Sequence, residues 1–356
     1  MIRVLVAEDS ATARALLVSV LSAEPDIVVV GEARTGTEAV EMAERLQPDL
    51  VTMDVQMPEL GGLEATKQIM TRSPRPILVV SSAAGSDVEM SLEATRSGAL
   101  MVIAKPQGVQ SPLYESDRRQ LVSMVRALAH VKVVRRHGTP TSMRTIDGQT
   151  PSGPWLLPST RLAPTDSLEV VAIAASTGGP AALRAILSAL PASFPLPILV
   201  VQHIARGFTA GLAHWLSGDS RLVVKLAELG EVLRPGAVYI APDDRHLGVR
   251  RDPSGLLRVQ LDNAPPVGTF RPSASYLFQS CAENVGRGVL ALILTGMGDD
   301  GVAGLRHVRK ASGRILAQDE ASSVIFGMPR EAQRAGVVDQ VVALDDIPRR
   351  LRELTA

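Results

Sequence analysis

Ser176 ends an apolar run, Val170–Ala174, and is followed by Thr177, two glycines and Pro180. That order predicts a buried strand, a tight turn, and a helix with Pro180 in its first turn. The free N–H groups of a helix start favour negative charge. A serine placed there can be activated as a nucleophile, and an oxyanion can be held beside it. Such a serine needs a base, and His203 follows the apolar run Ile198–Val201, at the same sheet edge. The base needs an orienting acid. The segment Leu294–Gly301 offers two, Asp299 and Asp300, after another apolar run, and residue chemistry does not choose between them. Three residue types at three strand ends meet the role logic of a Ser-His-Asp triad. The other reading of the 176–179 turn is a phosphate cradle. It lacks the glycine fingerprint of a dinucleotide fold and the lysine of a P-loop. The remaining histidines fall elsewhere: His130, His214 and His307 in helical patterns, His246 in an expected hairpin, and His137 in a proline-rich stretch.

A second constellation lies in the N-terminal third. Glu8 and Asp9 follow the first apolar run, Asp54 the third, Ser81 and Ser82 the fourth, and Lys105 the fifth. In a parallel sheet these strand ends share one edge, where ligands bind. Crowded carboxylates suit a hard divalent cation such as Mg²⁺. A carboxylate nucleophile with a metal, a cation and a hydroxyl forms a site for accepting a phosphoryl group.

These residues need two sets of alternating strands and helices to position them. Apolar runs at Val4–Ala7, Ile27–Val30, Leu50–Met53, Ile77–Val80 and Leu100–Ala104 alternate with helical spacing, and a fifth helix is expected over Ser116–Val134. A second set of strands starts at Val170 and ends with Val337–Val341. Both sets predict α/β domains with parallel sheets. The section Gly230–Asp262 lacks helical periodicity and is expected to form antiparallel strands beside the second core. Between the sets, prolines among Thr, Ser and Gly mark a linker, with Trp155, Leu156 and Leu157 unusually apolar within it. The expected domains are 1–134, a linker at 135–167, and 168–356.

Bulk composition agrees. The 356 residues allow two domains. Lys+Arg and Asp+Glu balance at 37 each, so no basic surplus points to nucleic acid or an anionic membrane. With one cysteine, Cys281, no intrachain disulfide can form. The N-terminus reads as neither a signal peptide nor a membrane span, so a soluble, cytoplasmic protein without membrane insertion is expected. No helix-turn-helix pattern or basic stripe supports DNA binding.

Residues 1–130 resemble the receiver domain of two-component response regulators, through Met53-Asp54-Val55-Gln56-Met57-Pro58 and Lys105-Pro106. That resemblance implies a flavodoxin-like, five-stranded parallel sheet. It makes Asp54 the phospho-acceptor, Glu8, Asp9 and Asp54 the Mg²⁺ ligands, Ser81 (with Ser82 as the alternative) the switch hydroxyl, and Lys105 the phosphate partner. Two positions depart from the pattern. Gly61-Gly62 stands where Asp-Gly is usual, and Val102 where an aromatic is usual.

Residues 170–351 resemble the catalytic domain of the chemotaxis methylesterase family, CheB. The matching segments are Ala175-Ser176-Thr177-Gly178-Gly179, Gln202-His203, Ala241-Pro242, Arg271-Pro272-Ser273, Thr295–Gly301 and Phe326-Gly327-Met328-Pro329. One departure is Ala174, where glycine is frequent. The resemblance implies a doubly wound, mostly parallel α/β hydrolase without a cofactor. Ser176 is its nucleophile, His203 its base and acid, and Asp300, rather than Asp299, the orienting acid. Thr177 and Met297 are implied as supporting residues. The implied function is phosphorylation-activated hydrolysis of glutamate γ-methyl esters on methyl-accepting chemotaxis receptors, with deamidation of glutamine by the same chemistry. The implied phosphodonor is a CheA-type histidine kinase. Two other classes compete with this enzyme: a receptor-binding regulator without catalysis, and a nucleotide-binding effector.

Overall fold

A computed structural model describes residues 1–82, 86–131, 133 and 168–355. The expected linker at 135–167, with His137, Trp155, Leu156 and Leu157, lies outside the described residues.

The N-terminal domain alternates β1 (Ile2–Ala7), α1 (Ala11–Ser22), β2 (Ile27–Ala33), α2 (Gly36–Leu46), β3 (Leu50–Met53), α3 (Gly62–Arg72), β4 (Ile77–Ser81), α4 (Ser86–Arg96), β5 (Met101–Ala104) and α5 (Tyr114–Leu128). Its five strands are parallel in the order β2-β1-β3-β4-β5. All four residues of β3 are buried, as expected for a strand covered on both faces. Side-chain caps start two of the helices: Ser10 accepts from the Ala13 N–H for α1, and Thr35 from the Glu38 N–H for α2. The fifth helix ends at Leu128, short of the expected Val134.

The chain enters at β1, winds to β2, then crosses back to β3. The crevice therefore opens at the C-terminal ends of β1 and β3, where Glu8, Asp9 and Asp54 emerge. Gly62 makes that corner possible. A methyl group on it would stand 1.8 Å from the Asp54 carbonyl oxygen, whereas one on Gly61 meets only the Val55 carbonyl at 3.6 Å. The departure at Gly61 thus falls on the tolerant member of the pair.

The C-terminal domain contains β6 (Val170–Ala175), α6 (Gly179–Ser188), β7 (Ile198–Gln202), α7 (Thr209–Asp219), β8 (Val223–Leu226), β9 (Ala237–Ile240), β10 (His246–Arg251), β11 (Leu257–Asp262), α8 (Ala274–Val285), β12 (Val289–Ile293), α9 (Val302–Lys310), β13 (Arg314–Gln318), α10 (Met328–Arg334), β14 (Gln340–Val342) and α11 (Ile347–Thr355). Seven strands form a parallel sheet in the order β14-β13-β12-β6-β7-β9-β8. The winding reverses at β6, so ligands are expected at its C-terminal end. Strands β10 and β11 pair antiparallel, as a separate hairpin.

Two expectations are corrected here. Within Gly230–Asp262, β9 joins the main sheet in parallel, because all four of its residues are buried. The last strand is Gln340–Val342 rather than Val337–Val341. Gly336, at φ 67°, turns the chain, and Val337 packs into the core instead.

Among the described residues the two domains touch through α4 and through α5. On α4, Val88 and Leu92 pack on Gly211 of α7, where an added methyl would stand 2.2 Å from Val88 Cγ1. Beside them the Trp215 indole N–H donates to Glu93 at 3.3 Å. On α5, Thr177 Oγ1 donates to Met124 Sδ at 3.9 Å. Met297, Val324 and Ile325 rest on the apolar cluster built around Leu121, Val122 and Val125. No helix among the described residues is long and apolar enough to cross a membrane.

The glycine pair makes a sharp test. Gly61→Asp should leave receiver stability within about 0.5 kcal/mol of the parent, since both residues serve as N-caps. Gly62→Ala should cost at least about 2 kcal/mol, because backbone must move. Urea denaturation followed by circular dichroism compares them; equal stabilities would refute the close approach.

Candidate active site

At the receiver crevice the Asp54 N–H donates to the Ala7 carbonyl at 2.9 Å, which sets the first and third strand ends side by side. One carboxylate oxygen each from Glu8, Asp9 and Asp54 lie within 4.8 Å of one another. Lys105 Nζ donates to Glu8 at 2.9 Å and to Asp54 at 2.8 Å. Burial raises the Glu8 pKa, and the neighbouring Asp54 charge adds to it; the Lys105 bond offsets this only in part. Burial likewise raises Asp54 against the pull of Lys105. Burial disfavours the charge on Lys105, but its bonds to Asp54 and Glu8 outweigh that and raise its pKa. The all-oxygen, acidic donor set fits a hard cation such as Mg²⁺.

The two serines after β4 differ. Ser81 Oγ is buried and has no hydrogen-bond partner among the described residues. Ser82 Oγ donates to Asp87 of α4, which also accepts from Gln56. Of the two, Ser81 therefore has the uncommitted hydroxyl. Val102 is buried in β5 and offers no ring to swing.

In the C-terminal domain, Ala175 pairs with Gln202 across β6 and β7, so Ser176 and His203 leave neighbouring strand ends together. The His203 N–H donates to the Ala175 carbonyl at 2.9 Å. The Ser176 N–H donates to Thr295 O at 3.0 Å, and the Gln202 side chain donates to Ser176 O at 2.8 Å. The turn into α6 needs glycine at 178, where φ is 79°. Gly296 is also obligatory, since a methyl there would lie 2.7 Å from Ser176 Cβ.

His203 Nε2 stands 3.0 Å from Asp300 Oδ2. The contact is close but off the N–H line, so it is an electrostatic contact and not an aligned hydrogen bond. Asp300 is buried. It accepts from Ser273 Oγ at 2.9 Å and from the N–H groups of Ala274, Ser275 and Gly301 at 2.7, 3.0 and 2.8 Å. Burial pushes its carboxyl up, but His203 and the backbone donors at the start of α8 prevail and hold it at about 2. Asp299 is exposed. Geometry thus separates two acids that residue chemistry alone left equivalent.

Ser176, His203 and Met297 line a cleft of about 590 Å³, whose other wall is Met101, Arg119 and Met124 of the receiver. Thr177 and Met297, expected as supporting residues, both also contact α5. Sequence reasoning missed Phe270, which stacks on His203 with ring centroids 4.2 Å apart. It also gave no role to Ser273, although the segment Arg271-Pro272-Ser273 was visible.

Residues 171–351 match the family model described as CheB methylesterase. The chain belongs to the CheB methylesterase family. Residues 4–113 match the response regulator receiver domain. A Myxococcus xanthus protein named protein-glutamate methylesterase/protein-glutamine glutaminase 4 is 53% identical over 350 residues, 98% of this chain and 96% of that protein. A protein of the same name, numbered 3, from Anaeromyxobacter dehalogenans is 47% identical over 99% of this chain and 98% of its own length. The crystal structure of the Thermotoga maritima CheB methylesterase catalytic domain, 42% identical, superposes with a TM-score of 0.52, covering 53% of this chain and all of that one. The CheB match thus spans every strand-end residue just described in the second domain.

Because the Asp300 pKa is depressed on folding, its contribution to stability is complete above the unfolded value of 3.8 and is lost as pH falls through about 2. The expected contribution is about 2 kcal/mol. Asp300→Asn should therefore be less stable by about that amount at pH 7, and the gap should shrink as pH falls below about 4. Urea titrations across pH measure it; a gap unchanged at pH 3 would contradict the geometry.

Proposed function

We propose that this chain hydrolyses glutamate γ-methyl esters, and by the same chemistry glutamine side-chain amides, on methyl-accepting chemotaxis receptors. We further propose that phosphorylation of Asp54 by a CheA-type histidine kinase switches that activity on. One observation carries the reading. Ser176 and His203 leave paired strand ends into one cleft, Asp300 lies against the imidazole, and the receiver walls the opposite side. The names of the full-length relatives agree with it.

Ser176 Oγ attacks the γ-carbonyl carbon. With Nε2 turned to Asp300, Nδ1 is the imidazole nitrogen left to take the serine proton. Asp300 stays ionised and steadies the imidazolium that forms. The Gly179 N–H is given to the Ser176 carbonyl and Pro180 has none, so the Thr177 and Gly178 N–H groups of the turn before α6 hold the developing oxyanion. His203 returns the proton to the departing methanol, or to ammonia from an amide. Water then attacks the acyl-enzyme and releases glutamate.

Control comes from the other domain. When bound, Mg²⁺ held by Glu8, Asp9 and Asp54 offsets phosphoryl charge. A phosphoryl group on Asp54 draws in Lys105 and the free hydroxyl of Ser81. Movement at the end of β4 passes to α4, whose Asp87 is tied to Ser82 and Gln56. Helix α4 then leaves Gly211, and the cleft opens to a receptor helix.

Ser176→Ala should reduce methanol release from methylated receptor membranes by at least about a thousandfold; retained turnover would refute the nucleophile. Asp54→Asn should block labelling by a small phosphodonor and the accompanying activation, while keeping basal turnover. Gly211→Leu should prise α4 from α7 and raise basal activity without phosphodonor. If it folds and its basal rate matches the parent, the gate does not run through this contact.

A further inference from the structure

We propose that Phe270 is a positioning residue for the hydrolysis, its ring pressed flat on His203 by a loop that His246 closes at the neck. The inference rests on reading His203 as the general base.

The Phe270 and His203 ring centroids are 4.2 Å apart, with planes 13° from parallel. A histidine base must keep one nitrogen toward the nucleophile and the other toward its acid, yet the outer torsion of the side chain is soft. An aligned bond to the acid ordinarily fixes the ring plane. Here the Asp300 contact is off the N–H line, and neither ring nitrogen makes an aligned hydrogen bond among the described residues. The face-to-face contact with Phe270 is then what sets the plane.

Phe270 sits in the exposed stretch between β11 and α8, which nevertheless is anchored. The Val267 and Phe270 backbones bond each other in both directions at 3.1 Å. Arg271 Nη1 donates to the Ala264 carbonyl at 3.3 Å. The neck is closed by His246, fully buried, which uses both ring nitrogens. Its Nδ1 accepts from the Ser273 N–H at 3.2 Å, so Nε2 carries the proton and donates to Pro265 O at 3.1 Å. One imidazole ring thereby fixes the ends of the loop. The same Ser273 donates its hydroxyl to Asp300. His246 therefore holds both things that hold His203.

Phe270 also forms part of a neighbouring cleft that reaches Arg306 and Arg334. If it were only a wall of the substrate cleft, its loss would appear in KM. A plate that orients the base acts on turnover. The test uses the full chain with phosphodonor and methylated receptor membranes. Phe270→Leu keeps apolar bulk without a flat face, and kcat should fall about three- to tenfold with KM unchanged, the worth of an aromatic pair. Phe270→Tyr should restore kcat to within about twofold of the parent. His246→Gln, which retains a donor for Pro265 but no acceptor for Ser273, should lower kcat at least as far while circular dichroism stays native. A Leu variant equal to the parent, a change confined to KM, or a Tyr variant as slow as Leu would overturn the assignment. If instead the parent itself shows no Ser176-dependent turnover, the hydrolase reading fails, which is a different result.

Discussion

A carboxylate taken out of water must be surrounded by donors, or it will take up a proton. Asp300 meets that demand with a serine hydroxyl and three backbone N–H groups. Two of those N–H groups open α8, so the helix start and the acid neutralise each other's unmet needs. Through this one anion the turn after β12, the loop before α8 and the imidazole at the end of β7 are held together. Remove it, and a helix loses its counter-charge while the His203 imidazole loses its neighbouring carboxylate.

The receiver is organised around the same problem and solves it differently. Glu8 and Asp54 are buried beside each other; Lys105 bridges them, and each takes a long backbone N–H bond besides, from Ser10 and Gln56. That site is more thinly supplied with donors: burial raises Asp54, and the Ser81 hydroxyl has no partner among the described residues. An acid surrounded by donors is held ionised, whereas one with fewer is pushed up by burial. The contrast between Asp300 and Asp54 within one chain shows how environment assigns the role of a carboxylate.

Much of this was legible in the residues. Buried parallel strands announce themselves as Val, Ile and Leu runs, and Ser176, His203, Asp54 and Lys105 could be placed by following each run to its end. What failed depended on contacts that strand periodicity does not encode. Ala237–Ile240 lies among turn residues, and its burial comes from sheet neighbours far along the chain. Phe270 lies in a segment with no periodicity at all. Gly211 carries no chemistry in the sequence, because its meaning is the helix of another domain resting on it.

That seat at Gly211 has a thermal consequence. Where Val88 and Leu92 meet α7, the contact is largely apolar, with the Trp215–Glu93 bond and an exposed His214–Glu89 contact at its margin. Apolar association weakens on cooling, because its driving force near room temperature is entropic. The latch between the two domains is therefore tighter in a warm cell than in a cold one. Under the proposed gating, cooling alone would loosen the restraint on the hydrolase domain.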